Sequence, residues 1–385
     1  MPSVTRIDVL SAELPFRFSF GHALAARRST TNVYVRMTLS DGSVGFGEGV
    51  PRGYVTGETP DGALAALQQR YAPALLGREL ADPGEIAEQL AAIADDEAEQ
   101  LSPGAFCALE LACLDAAGRS LGLPVGAWLW PRGDDAVTYD AVLPFMPLGA
   151  LAAATALARA AGLRRLKLKV GRDLRADLRA LEVVRRVAGP DADVRVDANC
   201  AWTRDEALAA LASMRRHRIS AVEQPVARED LAGLRLVTAH TPEIVIADES
   251  ACTPADAELL ARTRGCDALN IRVSKCGGLL RSLRVARIAR EAGMDCVVGA
   301  QVGESGILSA AGRHLAASIA PRYVEGSPGP LLLKGDIVGE RVLPGSGGRA
   351  AVYGGPGLGV TVDEASLRRH GRVHATLTPS YQKVS

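Results

Sequence analysis

Hydrophobic and polar positions change rhythm twice along this chain. In the first fifty residues they alternate with a period of two, in "VTRIDVLSAEL", "TNVYVRMTLSDG" and "SVGFGEGV". That period predicts an antiparallel meander with a turn at Asp41–Gly42. Ala- and Leu-rich stretches at roughly 61–76, 83–98 and 103–121 then carry a helical period. Strands followed by helices predict an α+β domain over residues 1–125. Two Gly-rich or polar segments interrupt it, at 20–30 and 51–59.

The second change comes near residue 134, where short β-branched runs begin to alternate with Ala/Leu/Arg-rich helices. The runs are "VTYDAVLPF", "LKLKV", "VRVDAN", "AVEQP", "VIADES", "ALNIRVSK", "CVVGA" and "YVEGS". Repeated βα units imply a parallel sheet, and eight of them over 134–330 fit a barrel. An open doubly wound sheet would carry a Gly-rich phosphate loop after its first strand, and no G-x-G-x-x-G stands there. The remaining segment, 331–385, is Gly-rich before a strand-like stretch and is expected to pack back on the first domain.

Within "LKLKV", Lys167 and Lys169 alternate with Leu166, Leu168 and Val170. Both ammonium groups therefore share one face of a strand. Further polar residues fall at the ends of the next strands: Asp197, Glu223, Asp248 and Lys275. Successive intervals from Lys169 onward are 28, 26, 25 and 27 residues, each close to one βα unit. They predict a ring at the barrel face where active sites sit. Three converging carboxylates repel unless a cation joins them. A set of Asp, Glu and Asp without His or Cys is a hard oxygen set suited to Mg²⁺ or Mn²⁺. A substrate carboxylate bound to such a metal would lie between Lys169 and Lys275. The metal would then stabilise the enediolate left when the α-proton departs.

Composition narrows the function classes. Lys+Arg and Asp+Glu both total 44, and aromatics are only 4% of residues. Neither favours a nucleic-acid binder. The seven cysteines never occur as C-x-x-C, which argues against a disulfide frame or zinc site. The N-terminal "MPSVTRIDVL" lacks the pattern of a signal peptide, and no run of 18 apolar residues exists. The expectation is a soluble cytoplasmic enzyme with a small-molecule carboxylate substrate and no membrane partner.

At "KLKVG", "VDAN", "VEQP", "ADES" and "NIRVSKCGG" the sequence resembles the enolase superfamily, and within it the muconate lactonizing enzyme subgroup. The resemblance covers nearly the whole chain. It implies a modified TIM barrel, (β/α)₇β, under an α+β capping domain whose two odd segments close over substrate. It implies Asp197, Glu223 and Asp248 as Mg²⁺ ligands, Lys169 and Lys275 as the acid/base pair, and Lys167 as the partner of Lys169. Homo-oligomeric assembly is implied as well. The subgroup hosts racemisation or epimerisation, cycloisomerisation and β-elimination, which share one enediolate step. "YVTGET" and "GFGEGVP" resemble the dipeptide epimerases. The eighth strand departs from them, with Gly326 and Pro328 where those enzymes carry Asp-x-Asp. Glu325 is the candidate replacement for the acid of the muconate enzymes.

Racemisation or epimerisation of an N-acyl amino acid or dipeptide-like acid is thus the favoured activity. Cycloisomerisation or elimination is the alternative, and a non-catalytic binding barrel the reading from another class. His22, Arg52, Tyr54, Glu304 and Glu325 are candidate substrate contacts. Asn199, Gln224 and Glu249 are candidate supports of the ligands, with Glu249 turned away from Asp248 by strand alternation.

Overall fold

A computed structural model describes residues 1–21, 26–80, 82–96, 102–129, 133–326, 329–340 and 342–379. The alternating start of the chain forms β1 (Val4–Gly21), β2 (Ala26–Leu39) and β3 (Val44–Gly49), paired antiparallel. The helix Pro103–Leu121 lies across β3 at very close range. A Cβ on Gly45, Gly47 or Gly49 would fall within 2.5 Å of that helix's backbone. Alternate glycines on one face of a strand are what such an approach requires.

The next strand segment divides. Residues 136–138 form β4 (Ala136–Thr138), and β5 (Ala141–Leu143) follows beyond a break. The parallel units then give β6 (Arg165–Lys169), β7 (Asp193–Asp197), β8 (Ile219–Glu223), β9 (Ile244–Ala247), β10 (Ala268–Ile271), β11 (Asp295–Val298) and β12 (Tyr323–Val324). They form one eight-stranded parallel sheet in the order β12-β11-β10-β9-β8-β7-β6-β5. Its two edges meet where the Asp140 N–H donates to the Val324 carbonyl at 2.8 Å. Helices between consecutive strands cover the outside. One of them, Leu174–Ala188, is capped by Asp173 and buries Leu181, Val184 and Ala188. Leu166, Leu168 and Val170 are buried in the apolar core that includes these helices.

The last part of the chain serves both units. β13 (Arg349–Ala351) pairs with β4, and β14 (Gly371–Leu377) pairs with β1, extending the first sheet to four strands. Among the described residues no helix is long and apolar enough to cross a membrane.

Candidate active site

Strand pleat explains the first half of the site. Lys167 and Lys169 both point into the barrel, where Lys169 is level with Asp197 and Asp197 with Glu223. The Lys169 ammonium donates to Asp197 Oδ2 at 2.6 Å and to Asn199 Oδ1 at 2.7 Å. The Lys167 ammonium reaches Glu223 at 3.1 and 3.2 Å, Asp197 at 3.2 Å and Glu325 Oε2 at 2.6 Å. Glu325 in turn accepts from Arg195 at 2.6 Å, and Arg195 donates to Asp140 at 2.8 Å. A buried chain of alternating charge thus runs from Lys167 to Asp140 across the seam of the barrel.

The second half is built differently. Strand β10 ends at Ile271, and Lys275 sits on a single helical turn, Val273–Cys276, instead of on the strand itself. Its ammonium donates to Asp248 Oδ1 at 2.9 Å and to the carbonyls of Asp248 and Asn270, both at 2.7 Å. Arg272 is hydrogen-bonded to Asp248 Oδ2 and lies 3.8 Å from Glu223. Asn270 donates to Glu223 at 2.9 Å.

Charge decides the ionisation states. Burial raises the carboxyl of Asp197, but Lys169 and Lys167 overcome it and hold it below the ordinary range. Burial likewise opposes the ionised form of Glu325, yet Lys167 and Arg195 bring it down to about 2. Burial alone would discharge Lys167, while Glu223, Glu325 and Asp197 keep it a firm cation. For Lys275 burial prevails, and its pKa falls below the usual lysine value.

Backbone conformation marks the same strand ends. Asn199, Cys200 and Gln224 have φ of 45°, 65° and 36°, a region that side chains avoid and that clusters at functional sites. The Gln224 amide oxygen accepts from the N–H groups of Asp248 at 2.9 Å and Ser250 at 3.1 Å, fixing the end of β9. Asn199 bridges Lys169 to Glu249, donating to Glu249 at 3.1 Å. Glu249 lines the cavity, while Asp248 beside it is engaged by Arg272 and Lys275.

A cavity of about 790 Å³ opens against this cluster. Lys167, Lys169, Asn199, Glu249, Arg272 and Glu325 form its polar end. Tyr54, Phe18, Met146, Val302, Leu331 and Leu332 contribute to its apolar end. Lys275, wholly buried, is not among the described lining residues. Of the other candidates, Arg52 donates to Thr30 at 2.5 Å and to the Val302 carbonyl at 2.8 Å, tying strand β2 to the segment after β11. Glu304 accepts the Gln301 N–H at 2.6 Å, and burial pushes its pKa up to about 8. His22 and Pro328 lie outside the described residues.

The donor set suits a hard divalent cation. Asp197, Glu223 and Asp248 are wholly buried, offer only oxygen, and are linked by shared cations, Lys167 between the first two and Arg272 between the last two. Among the described residues no three acids are already gathered at metal-ligand distance. Lys167 and Arg272 bring positive charge to the same carboxylates.

Residues 150–366 match the enolase C-terminal domain-like family, and residues 3–129 match the mandelate racemase/muconate lactonizing enzyme N-terminal domain. This chain belongs to that family. A muconate cycloisomerase of Acinetobacter lwoffii is 32% identical over 379 residues, 97% of this chain and 98% of the relative. Among solved family structures, the N-succinyl Arg/Lys racemase of Bacillus cereus superposes with a TM-score of 0.88 at 28% identity, covering 97% of this chain and 99% of that one. The dipeptide epimerase of Enterococcus faecalis, complexed with Mg and the dipeptide L-Leu-L-Tyr, gives 0.85 at 29% identity, covering 93% and 99%.

Four residues of the site escape the sequence reading: Asp140, Arg195, Asn270 and Arg272. Arg195 had a signal, since it stands two residues before Asp197 and so shares its face of the strand. Asn270 and Arg272 lie in "NIRVSK", where Lys275 drew the reading.

Proposed function

We propose that this chain is a Mg²⁺-dependent racemase or epimerase that removes and returns the proton α to a carboxylate, acting on an N-acyl amino acid or dipeptide-like acid. One observation carries the reading: two buried lysines, Lys169 and Lys275, are paired with Asp197 and Asp248 respectively, and Glu223 is linked to both acids through shared cations. Family relatives that racemise N-succinyl amino acids or epimerise dipeptides support it.

A divalent cation held by Asp197, Glu223 and Asp248 would neutralise the charge that builds on the substrate carboxylate as the proton leaves. The chain's own residues handle the proton. Lys169, open to the cavity, serves one face of the α-carbon and Lys275 the other. Lys167, held as a cation by Glu223, Glu325 and Asp197, stands on the same face of β6 and shares Asp197 with Lys169. Asn199, bonded to Lys169 and Glu249, orients the ammonium. The apolar end of the cavity suits an uncharged acyl group or an apolar side chain. Asp140 and Glu325 are both engaged by Arg195, which favours an N-acyl group over a free ammonium.

Incubation with N-acyl amino acids in D₂O tests the reading. The expected result is deuterium at the α-carbon of both enantiomers with Mg²⁺, abolished by a chelator. A chain that cyclises muconate to a lactone and leaves acyl amino acids unlabelled would be a cycloisomerase, the activity of its Acinetobacter relative.

A further inference from the structure

The turn that carries Lys275 has no sheet neighbours of its own. Within the barrel it is held by the bonds of Lys275 to Asp248 and Asn270 and by Arg281, which donates to the Cys276 carbonyl at 3.1 Å; further fixtures come from the N-terminal domain. The Ser274 hydroxyl accepts the Val50 N–H at 2.8 Å, and the Val50 carbonyl accepts from Gln301 at 3.0 Å. Gly277, with φ of 85°, ends the turn. The helix Leu279–Glu291 starts two residues later, and the Glu110 carboxylate accepts the N–H groups of both Leu279 and Leu280, the latter at 3.1 Å. Glu110 belongs to the helix Pro103–Leu121 and is wholly buried. A carboxyl oxygen on the first free N–H groups of a helix caps it.

Gly278 supplies an independent observation. Its φ is 109°, and a Cβ there would lie 1.9 Å from a Glu110 carboxylate oxygen. The two glycines of "KCGG" thus divide the work. Gly277 closes the lysine turn, and Gly278 leaves space for an acid from another domain.

We infer that Glu110 is a positioning residue for Lys275, holding the turn Val273–Cys276 from outside the barrel and so governing proton transfer on one face of the substrate only. Lys169 has no such dependence, because β6 is hydrogen-bonded to β5 and β7 on its two sides. The inference rests on the two-base reading proposed above. Misplacing a base by about 1 Å can cost ~10²-fold in rate, which sets the size of effect to look for.

The experiment compares wild type with Glu110→Gln, Glu110→Ala and Ser274→Ala in the full chain. Two readouts are taken. One is deuterium uptake at the α-carbon of each enantiomer separately. The other is backbone amide exchange by mass spectrometry over 273–280 and over 165–169. The expected result is a loss of ~10- to 10²-fold confined to the enantiomer that Lys275→Ala also loses. Glu110→Gln, which keeps an acceptor oxygen, should be milder than Glu110→Ala. Amide exchange should rise over 273–280 and stay unchanged over 165–169. Equal losses for both enantiomers, or protection of 273–280 unaltered in all variants, would overturn the inference. If Glu110→Ala fails to fold, Ser274→Ala and Glu110→Gln decide it. Wild-type protein that labels neither enantiomer overturns the two-base reading and with it the proton-transfer role of Glu110; amide exchange then still reports whether the anchor exists.

Discussion

Lys169 and Lys275 are the same side chain held in two unlike ways. Lys169 stands on a barrel strand between two others, and its ammonium borders the cavity. Lys275 stands on one helical turn, is wholly buried, and spends its three protons on Asp248 and two carbonyls. A strand is positioned by its ladder, so that side is self-sufficient within the barrel. A single turn has too few internal hydrogen bonds to fix itself, so it leans on outside contacts, Val50 on Ser274 and Glu110 on the start of the next helix among them. The difference teaches that the N-terminal domain is more than an appendage of the barrel. It takes part in building one half of the site.

Three outcomes would break or sharpen the contrast. The largest effect belongs to the lysines. Lys169→Ala and Lys275→Ala should each lower racemisation ~10²- to 10⁴-fold, and each should abolish α-proton exchange in the opposite enantiomer. NMR of the two enantiomers in D₂O checks this, and loss of the same enantiomer in both variants would erase the distinction between the two sides.

Next comes the charge chain behind Lys167. Glu325→Ala strips a carboxylate from both Lys167 and Arg195, all three buried. Removing one partner of a buried ion pair costs about 3–5 kcal/mol, measurable by urea unfolding. The damage should register at β6 and β7 and leave the Lys275 turn as protected as before.

The smallest effect is a slope. Burial pushes the Glu110 carboxyl up to about 8 from an ordinary 4.5. Between those values the folded chain binds more protons than the unfolded one, so this group's contribution to stability falls as pH rises. Glu110→Gln cannot titrate. Its stability relative to wild type should therefore improve from pH 5 to 8, by at most on the order of 1 kcal/mol per pH unit. Thermal unfolding across that range reads the trend, and parallel curves would contradict it.

Much of this arrangement is legible in the sequence, for a physical reason. A βα unit has a nearly constant length, so polar residues recurring every 25 to 28 positions must meet at one barrel mouth. Periodicity also separates the meander, the three N-terminal helices and the barrel. It fails where structure departs from regular repeats. The reading of "VTYDAVLPF" as one strand misses the break at Tyr139 and Asp140, where β4 leaves to pair with β13. "ALNIRVSK" reads as strand throughout, yet two glycines at 277 and 278 allow a turn to form before them. Glu110 was invisible for another reason. Its partners are backbone N–H groups about 170 positions away, and no side-chain pattern encodes those. The one clue is a lone pair of acids, Glu110 and Asp115, inside an otherwise apolar buried stretch of helix.

The seam between Asp140 and Val324 bears on the order in which the molecule comes into being. Glu325 follows directly on β12, the shortest and last strand of the barrel. Until that strand docks, Lys167 and Arg195 lack their shared carboxylate and the sheet has two open edges. Closing the barrel and balancing the charge in its interior are therefore one event, fixed by a contact 158 residues apart in the chain. Contacts of such separation form late and slowly. A fragment or nascent chain stopping short of Tyr323 holds nearly every residue of the chemistry but lacks the carboxylate that Lys167 and Arg195 share, so the site is complete only when the last strand arrives.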